Sequence, residues 1–197
     1  DLALKGGYKF LDGFAGVNTC DHFRRTFDVW RRGHVPLPYS PYYLYMVSTP
    51  YISKDYAIEW LTGELRKFKD SLAEYIGIEI TNEALSDAIK ACNESRRLLK
   101  RLYELMKGEA PPISGAQAMA VVIAGTCMPK AEYNQLLGRL VERLDGQKGI
   151  HEYRARVMVV GSCIDDTDFH KLVEDLGGLV VTDYTCIGPI YFWDLVY

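Results

Sequence analysis

The residues of this sequence most able to do chemistry are its five cysteines, Cys20, Cys92, Cys127, Cys163 and Cys186. As thiolates they can attack an electrophile, exchange with a disulfide or bind a soft metal. Their number is odd, they are widely scattered and none forms a CxxC pair. That pattern argues against a secreted disulfide framework and for a reducing cytoplasm, and it lacks the compact spacing of a zinc finger or ferredoxin. Cys20, Cys163 and Cys186 each follow a segment that reads as a strand. Cys92 and Cys127 lie in or beside helical patterns and read as buried packing residues. In open α/β sheets functional groups gather at the carboxyl ends of strands. A thiol placed there, at the mouth of a following helix, gains from the helix dipole and from loop N–H groups, which favour the thiolate. These three thiols are therefore candidates for metal ligation or redox work, and on spacing alone a structural role stays open.

The elements that must position them are legible in outline. Residues 14–19 are short, apolar and glycine-containing, and run into Cys20-Asp21-His22, after which Phe23, Phe27 and Trp30 recur at helical spacing. Asp21 in the first turn suits the positive end of that helix, and Arg31, Arg32 and Gly33 lie at its end. Pro36, Pro38 and Pro41 break the next stretch, and residues 42–47 are aromatic and β-branched enough for a second strand, closed by Thr49-Pro50. Ser53 is a plausible cap for a helix carrying Tyr56, Ile58, Trp60, Leu61, Leu65, Phe68, Leu72 and Ile76 up to Gly77. Thr81 caps the next, with Leu85, Ile89, Leu98, Leu99, Leu102, Leu105 and Met106, which stops at Gly108. Two more helices are expected over 115–124 and 129–144, with Pro129 at a natural first helical position. After a polar connector, strand 157–160, helix 169–176 ended by Gly177-Gly178, and strand 179–182 make a βαβ unit with parallel strands and a right-handed crossover. The fold class is α/β.

The run Asn18-Thr19-Cys20-Asp21-His22-Phe23-Arg24-Arg25, with Asp28-Val29-Trp30 after it, resembles the TCD-x-x-R-R segment of the 2-hydroxyacyl-CoA dehydratase and class I benzoyl-CoA reductase family. Residues 157–166 resemble that family's strand ending in Gly-Ser-x-x-Asp. Residues 178–188, with Val180, Val181, Asp183, Cys186 and Gly188, resemble its G-x-V-V-x-D-x-x-C-x-G segment. Between them Glu64, Gly77, Ile80-Thr81, Leu85, Asn93, Arg96 and Pro111-Pro112 keep the family's order, so the resemblance covers nearly the whole chain.

The resemblance implies two incomplete Rossmann-like parallel-sheet lobes joined by a helical segment. Residues 1–50 would be the C-terminal part of the first lobe, 51–150 the helical segment and 151–197 the N-terminal part of the second. It also implies a [4Fe-4S] cluster held by three cysteines, with Cys20 as the middle ligand and Cys186 as the last. The family's first ligand lies upstream of the TCD segment and its sequence continues beyond the last, so a fragment of a natural subunit is expected. Cys163 departs from the family pattern; leaving the same sheet edge as Cys186, it is a candidate fourth ligand or a neighbouring thiol. The implied reaction is loss of water from a 2-hydroxyacyl-CoA thioester by one-electron ketyl radical chemistry, or the related reduction of an aromatic thioester. Implied partners are the acyl-CoA substrate, a related second subunit and an ATP-hydrolysing iron-sulfur activator protein. A non-catalytic electron-relay or scaffold subunit is the rival within the family, and an α/β binding module with structural cysteines the rival outside it.

Other polar residues carry two readings each. His22 could donate to a cluster sulfur or a thioester, or be solvated on the first helical turn. Arg24 and Arg25 could meet coenzyme A phosphates or a partner subunit, or pair with Asp21 and Asp28. Asp165, Asp166 and Asp183 look like catalytic carboxylates, although an aspartate at a helix start is ordinary capping. Composition narrows the rest. With 197 residues, 48% of them hydrophobic, the chain can bury a real core. A net charge of -3 leaves no cationic excess for nucleic acid or an anionic membrane surface. No apolar run approaches the roughly 20 residues of a membrane span.

Overall fold

The computed structural model describes residues 3, 5–32 and 42–197. Gly33, Pro36, Pro38 and Pro41, expected to end the first helix and break the chain, lie outside the described residues. Contacts divide the chain into two compact units, Asp1–Thr81 and Asn82–Tyr197. Two parallel sheets and the helices packed on them give the mixed α/β fold that the strand and helix patterns predict.

The first unit holds strand β1 (Gly13–Asn18), helix α1 (Asp21–Arg32), strand β2 (Tyr43–Ser48) and helix α2 (Asp55–Ile76). The strands pair in parallel, from Gly13 opposite Tyr43 to Asn18 opposite Ser48. Alternation along the strands sends side chains to both faces. Phe14 faces α1, stacked on Trp30 at 4.7 Å and lying 5.9 Å from both Phe23 and Phe27, and Leu44 joins this cluster. Tyr43 and Tyr45 face α2, meeting Tyr75 at 5.0 Å and Phe68 at 5.1 Å. Gly16 permits the close seat of α1, because a Cβ there would stand 1.9 Å from the Phe23 ring. At the start of α2 the expected Ser53 cap is replaced by Lys54, whose carbonyl accepts from Ala57 and Ile58 while its side chain caps nothing. Gly77 ends α2 at φ 70°, a left-handed turn that glycine adopts without a Cβ penalty.

The second unit runs through α3 (Asn82–Leu105), α4 (Gly115–Cys127), α5 (Lys130–Leu144), strand β3 (Ala155–Val160), α6 (Thr167–Asp175), strand β4 (Gly178–Tyr184) and the short α7 (Pro189–Phe192). Its core is helical: Leu99, Leu102, Tyr103 and Met106 of α3 meet Ala118 and Val122 of α4, Tyr133, Leu137 and Val141 of α5, and Phe192 of α7. Leu99, Leu102 and Met106 are apolar positions that the helical periodicity selects, whereas Leu85 and Ile89 of the same expected stripe stand exposed. Ser114 and Gln117 close a capping box at the start of α4. Strand β3 pairs with β4 in parallel, with one irregularity at Val157/Met158, and α6 makes the crossover. Among the described residues no helix is long and apolar enough to cross a membrane.

Candidate metal centre

Cys20 lies between the end of β1 and the first turn of α1. Thr19 closes back on Val17 through a 2.8 Å N–H···O bond, which turns the chain out of the sheet. The Cys20 carbonyl accepts from the Arg24 N–H at 3.1 Å, and its Sγ accepts from the Phe23 N–H at 3.5 Å. The sulfur thus stands where a serine or aspartate oxygen would cap the helix, satisfying one orphan donor of the first turn. It is exposed and lies at the positive end of the helix dipole. Just before it, Asn18 Oδ1 is buried without a hydrogen-bond partner. His22 is exposed on the same turn. Arg24 pairs with Asp21 at 2.7 Å and Arg31 with Asp28 at 2.7 Å, so the ion-pair alternative holds for Arg24, while the partner of Asp28 is Arg31.

Cys163 and Cys186 occupy the carboxyl edge of the second sheet. Beyond the last paired residues, Val160 and Tyr184, the two loops remain laced: Gly161 N–H donates to Tyr184 O at 3.2 Å and Cys186 N–H to Ser162 O at 3.4 Å. Both thiols are exposed. The Cys163 thiol is nonetheless held above its ordinary pKa, first by partial desolvation and then by the negative charges that Asp165 and Cys186 can carry beside it. Asp166 caps α6, its Oδ1 accepting from Asp168 N–H at 2.8 Å, which is the ordinary use of an aspartate there.

Asp183 has a different role from a cap. It is 3% exposed at the end of β4, where Tyr103 Oη donates to its Oδ1 at 2.8 Å and Thr185 Oγ1 to its Oδ2 at 2.6 Å. Thr185 Oγ1 accepts in turn from the Gly188 N–H at 3.1 Å. Burial, and then the Asp183 charge, push the Tyr103 hydroxyl far above its usual pKa, so it stays a donor. Tyr103 and Thr185 escape a reading of local motifs: the tyrosine looks like one more apolar position of α3, and its partner is 80 positions away.

The remaining cysteines are not buried as expected. Cys92 is half-buried within α3, and Cys127 is exposed because α4 runs three residues beyond the predicted end and delivers its last residue to the surface. Among the described residues no group of three or more His, Cys, Asp or Glu side chains converges to hold a metal ion. The donor chemistry nevertheless suits a thiolate-bound metal: soft sulfur, exposed, at strand ends, with backbone N–H support at Cys20 and a braced loop at Cys186.

Parallel βα units presenting cysteines at strand ends define the class: an α/β protein with thiols at the loops where such folds place their chemistry. The sequence model of the family described as 2-hydroxyglutaryl-CoA dehydratase, D-component, matches residues 1–197, and the chain belongs to that family. It is 26% identical over 186 residues to one of the subunits of the benzoyl-CoA reductase of Thauera aromatica, covering 93% of this chain and 47% of the relative. It is 27% identical over 188 residues to a putative dehydratase subunit, YjiM, of Escherichia coli strain K12, covering 92% and 47%. With the beta subunit of (R)-2-hydroxyglutaryl-CoA dehydratase of Acidaminococcus fermentans the identity is 30% over 149 residues, covering 73% and 37%. The chain spans about half the length of the first of these curated relatives.

Proposed function

We propose that this chain belongs to a subunit of an iron-sulfur 2-hydroxyacyl-CoA dehydratase, in which Cys20 and Cys186 are thiolate ligands of a [4Fe-4S] cluster. The observation that carries the proposal is the placement of both thiols, exposed, in the first loop beyond a parallel strand, within a chain that matches a dehydratase family throughout. When bound, such a cluster supplies low-potential one-electron chemistry. This chain's own residues do the rest. The first turn of α1 meets the Cys20 sulfur through the Phe23 N–H. The buried carboxylate of Asp183 anchors the loop that presents Cys186. Cys163 leaves the same sheet edge as Cys186, as its neighbouring thiol.

The substrate read from the family is a 2-hydroxyacyl-CoA thioester, whose dehydration begins with one electron added to the thioester carbonyl. His22 and Arg24, exposed on α1, are the proposed substrate contacts, Arg24 exchanging its surface pair with Asp21 for a phosphate. A related second subunit and an ATP-dependent iron-sulfur activator complete the assembly, in the cytoplasm. The likeness to a benzoyl-CoA reductase subunit over 93% of the chain supports a second reading, two-electron reduction of an aromatic thioester on the same thiol frame.

The test is anaerobic purification and reconstitution of the full-length subunit, with iron and sulfide assays and an EPR spectrum after reduction. Iron, sulfide and a reduced-cluster signal are expected, lost in Cys20→Ala and in Cys186→Ala and kept in Cys163→Ala. Reconstituted protein without iron and sulfide, or a Cys20→Ala/Cys186→Ala double variant with wild-type iron, would overturn the proposal.

A further inference from the structure

We infer that Thr185 and Tyr103 are positioning residues for Cys186, acting through the buried carboxylate of Asp183. The functional meaning of this inference rests on Cys186 being a ligand; its geometry does not.

The segment after β4 alternates sharply in exposure: Thr185 is fully buried and Gly188 is buried, while Cys186 between them is exposed. Such a loop needs its buried polar groups satisfied, since each unpaired one costs about 1–3 kcal/mol. Asp183 satisfies them. One oxygen takes the Tyr103 hydroxyl at 2.8 Å, which ties the loop to the core of α3. The other takes the Thr185 hydroxyl at 2.6 Å. That hydroxyl, its proton committed to the carboxylate, offers a lone pair to the Gly188 N–H at 3.1 Å, and the same N–H lies 3.2 Å from the Thr185 carbonyl. The chain from 185 to 188 is thus wrapped around one hydroxyl. Gly188 is required for that closure, because a Cβ would stand 1.8 Å from Asp183 Oδ2. On the other side the Cys186 N–H is fixed to Ser162 O. Cys186 is therefore held by its own amide and by the buried residues on either side of it, with its sulfur left outside the network.

A purely structural network would change global stability and leave the native-state environment of Cys186 alone. The two cases separate on the metal-free full chain by site-resolved alkylation with N-ethylmaleimide, read by mass spectrometry. Thr185→Val keeps the shape and removes both hydrogen bonds; Thr185→Ser keeps the hydroxyl. Losing such bonds should raise the Cys186 alkylation rate by about threefold to tenfold in Thr185→Val. Cys20 and Cys163 should keep their rates, and Thr185→Ser should restore that of Cys186. Tyr103→Phe, which removes one hydroxyl and no volume in the loop, should shift the Cys186 rate in the same direction and serves where Thr185→Val does not fold. Unchanged Cys186 reactivity in folded Thr185→Val or Tyr103→Phe, or an equal rise at all three cysteines, would overturn the inference. Because the assay uses no iron, its result is independent of whether the cluster proposal stands; cluster retention after reconstitution, faster lost in Thr185→Val, is the second readout.

Discussion

At the scale of single residues, one of the tightest approaches in the molecule lies two positions beyond a thiol. Gly188 is held where a methyl group would meet a hydrogen-bonded carboxylate oxygen at 1.8 Å. Gly188→Ala should therefore destabilise the second unit by about 1–3 kcal/mol through overpacking. Urea unfolding would show this as a lowered midpoint, against a Gly138→Ala control inside α5, whose Cβ meets nothing within 4 Å and which should raise the midpoint through helix propensity. The spacing of Asp183, Cys186 and Gly188 was readable in the sequence, but the reason for it was not. A carboxylate, a hydroxyl and a glycine amide become one network only when β4 ends against α3. Cys127 shows the converse, since its expected burial depended on where α4 ends, and helix ends are poorly marked when no glycine or charged cap follows.

At the scale of elements, α3 does more than supply an apolar stripe. Asn93, 7% exposed, grips the backbone of Val196 with both ends of its amide, Nδ2 donating to the carbonyl at 2.6 Å and Oδ1 accepting the N–H at 2.9 Å. Arg96 donates to the Asp194 carbonyl and lies 5.6 Å from the Tyr191 ring, and Lys100 stands 4.7 Å from the Trp193 ring. One face of this helix thus docks the segment that follows Cys186. Asn93→Ala should cost about 1–3 kcal/mol, the net worth of the two hydrogen bonds it removes. Hydrogen exchange should show Val196 losing protection while the α3–α5 core keeps its own. The periodicity of α3 was plain in the sequence. Its polar face was not, because a docking asparagine and a solvated one are the same letter until the partner backbone arrives.

At the scale of the whole molecule, the second unit has buried tyrosines in its core. Burial, then Asp183, raises the Tyr103 hydroxyl, and burial, then Tyr191, raises that of Tyr133. Both stay neutral in the folded chain at a pH where the unfolded chain ionises them, so their contribution is whole below about pH 10 and is lost as the pH climbs above it. The urea midpoint should accordingly fall between about pH 9.5 and 11, and a Tyr103→Phe/Tyr133→Phe variant should show a flatter fall. The α/β class, the parallel βαβ unit, the three strand-end thiols and, of the expected apolar helix positions, Leu99, Leu102 and Met106 were legible in the sequence, while Tyr56, Ile58, Trp60, Leu65, Ile76, Leu85 and Ile89 stand exposed. Periodicity and glycine punctuation are local and survive without neighbours. It took the folded chain to show that Cys20 caps its helix with sulfur, that Cys127 reaches the surface, and that Asp183 is a buried brace for the Cys186 loop. Those depend on contacts between residues far apart in the chain, and spacing along the sequence carries no record of which of them will meet.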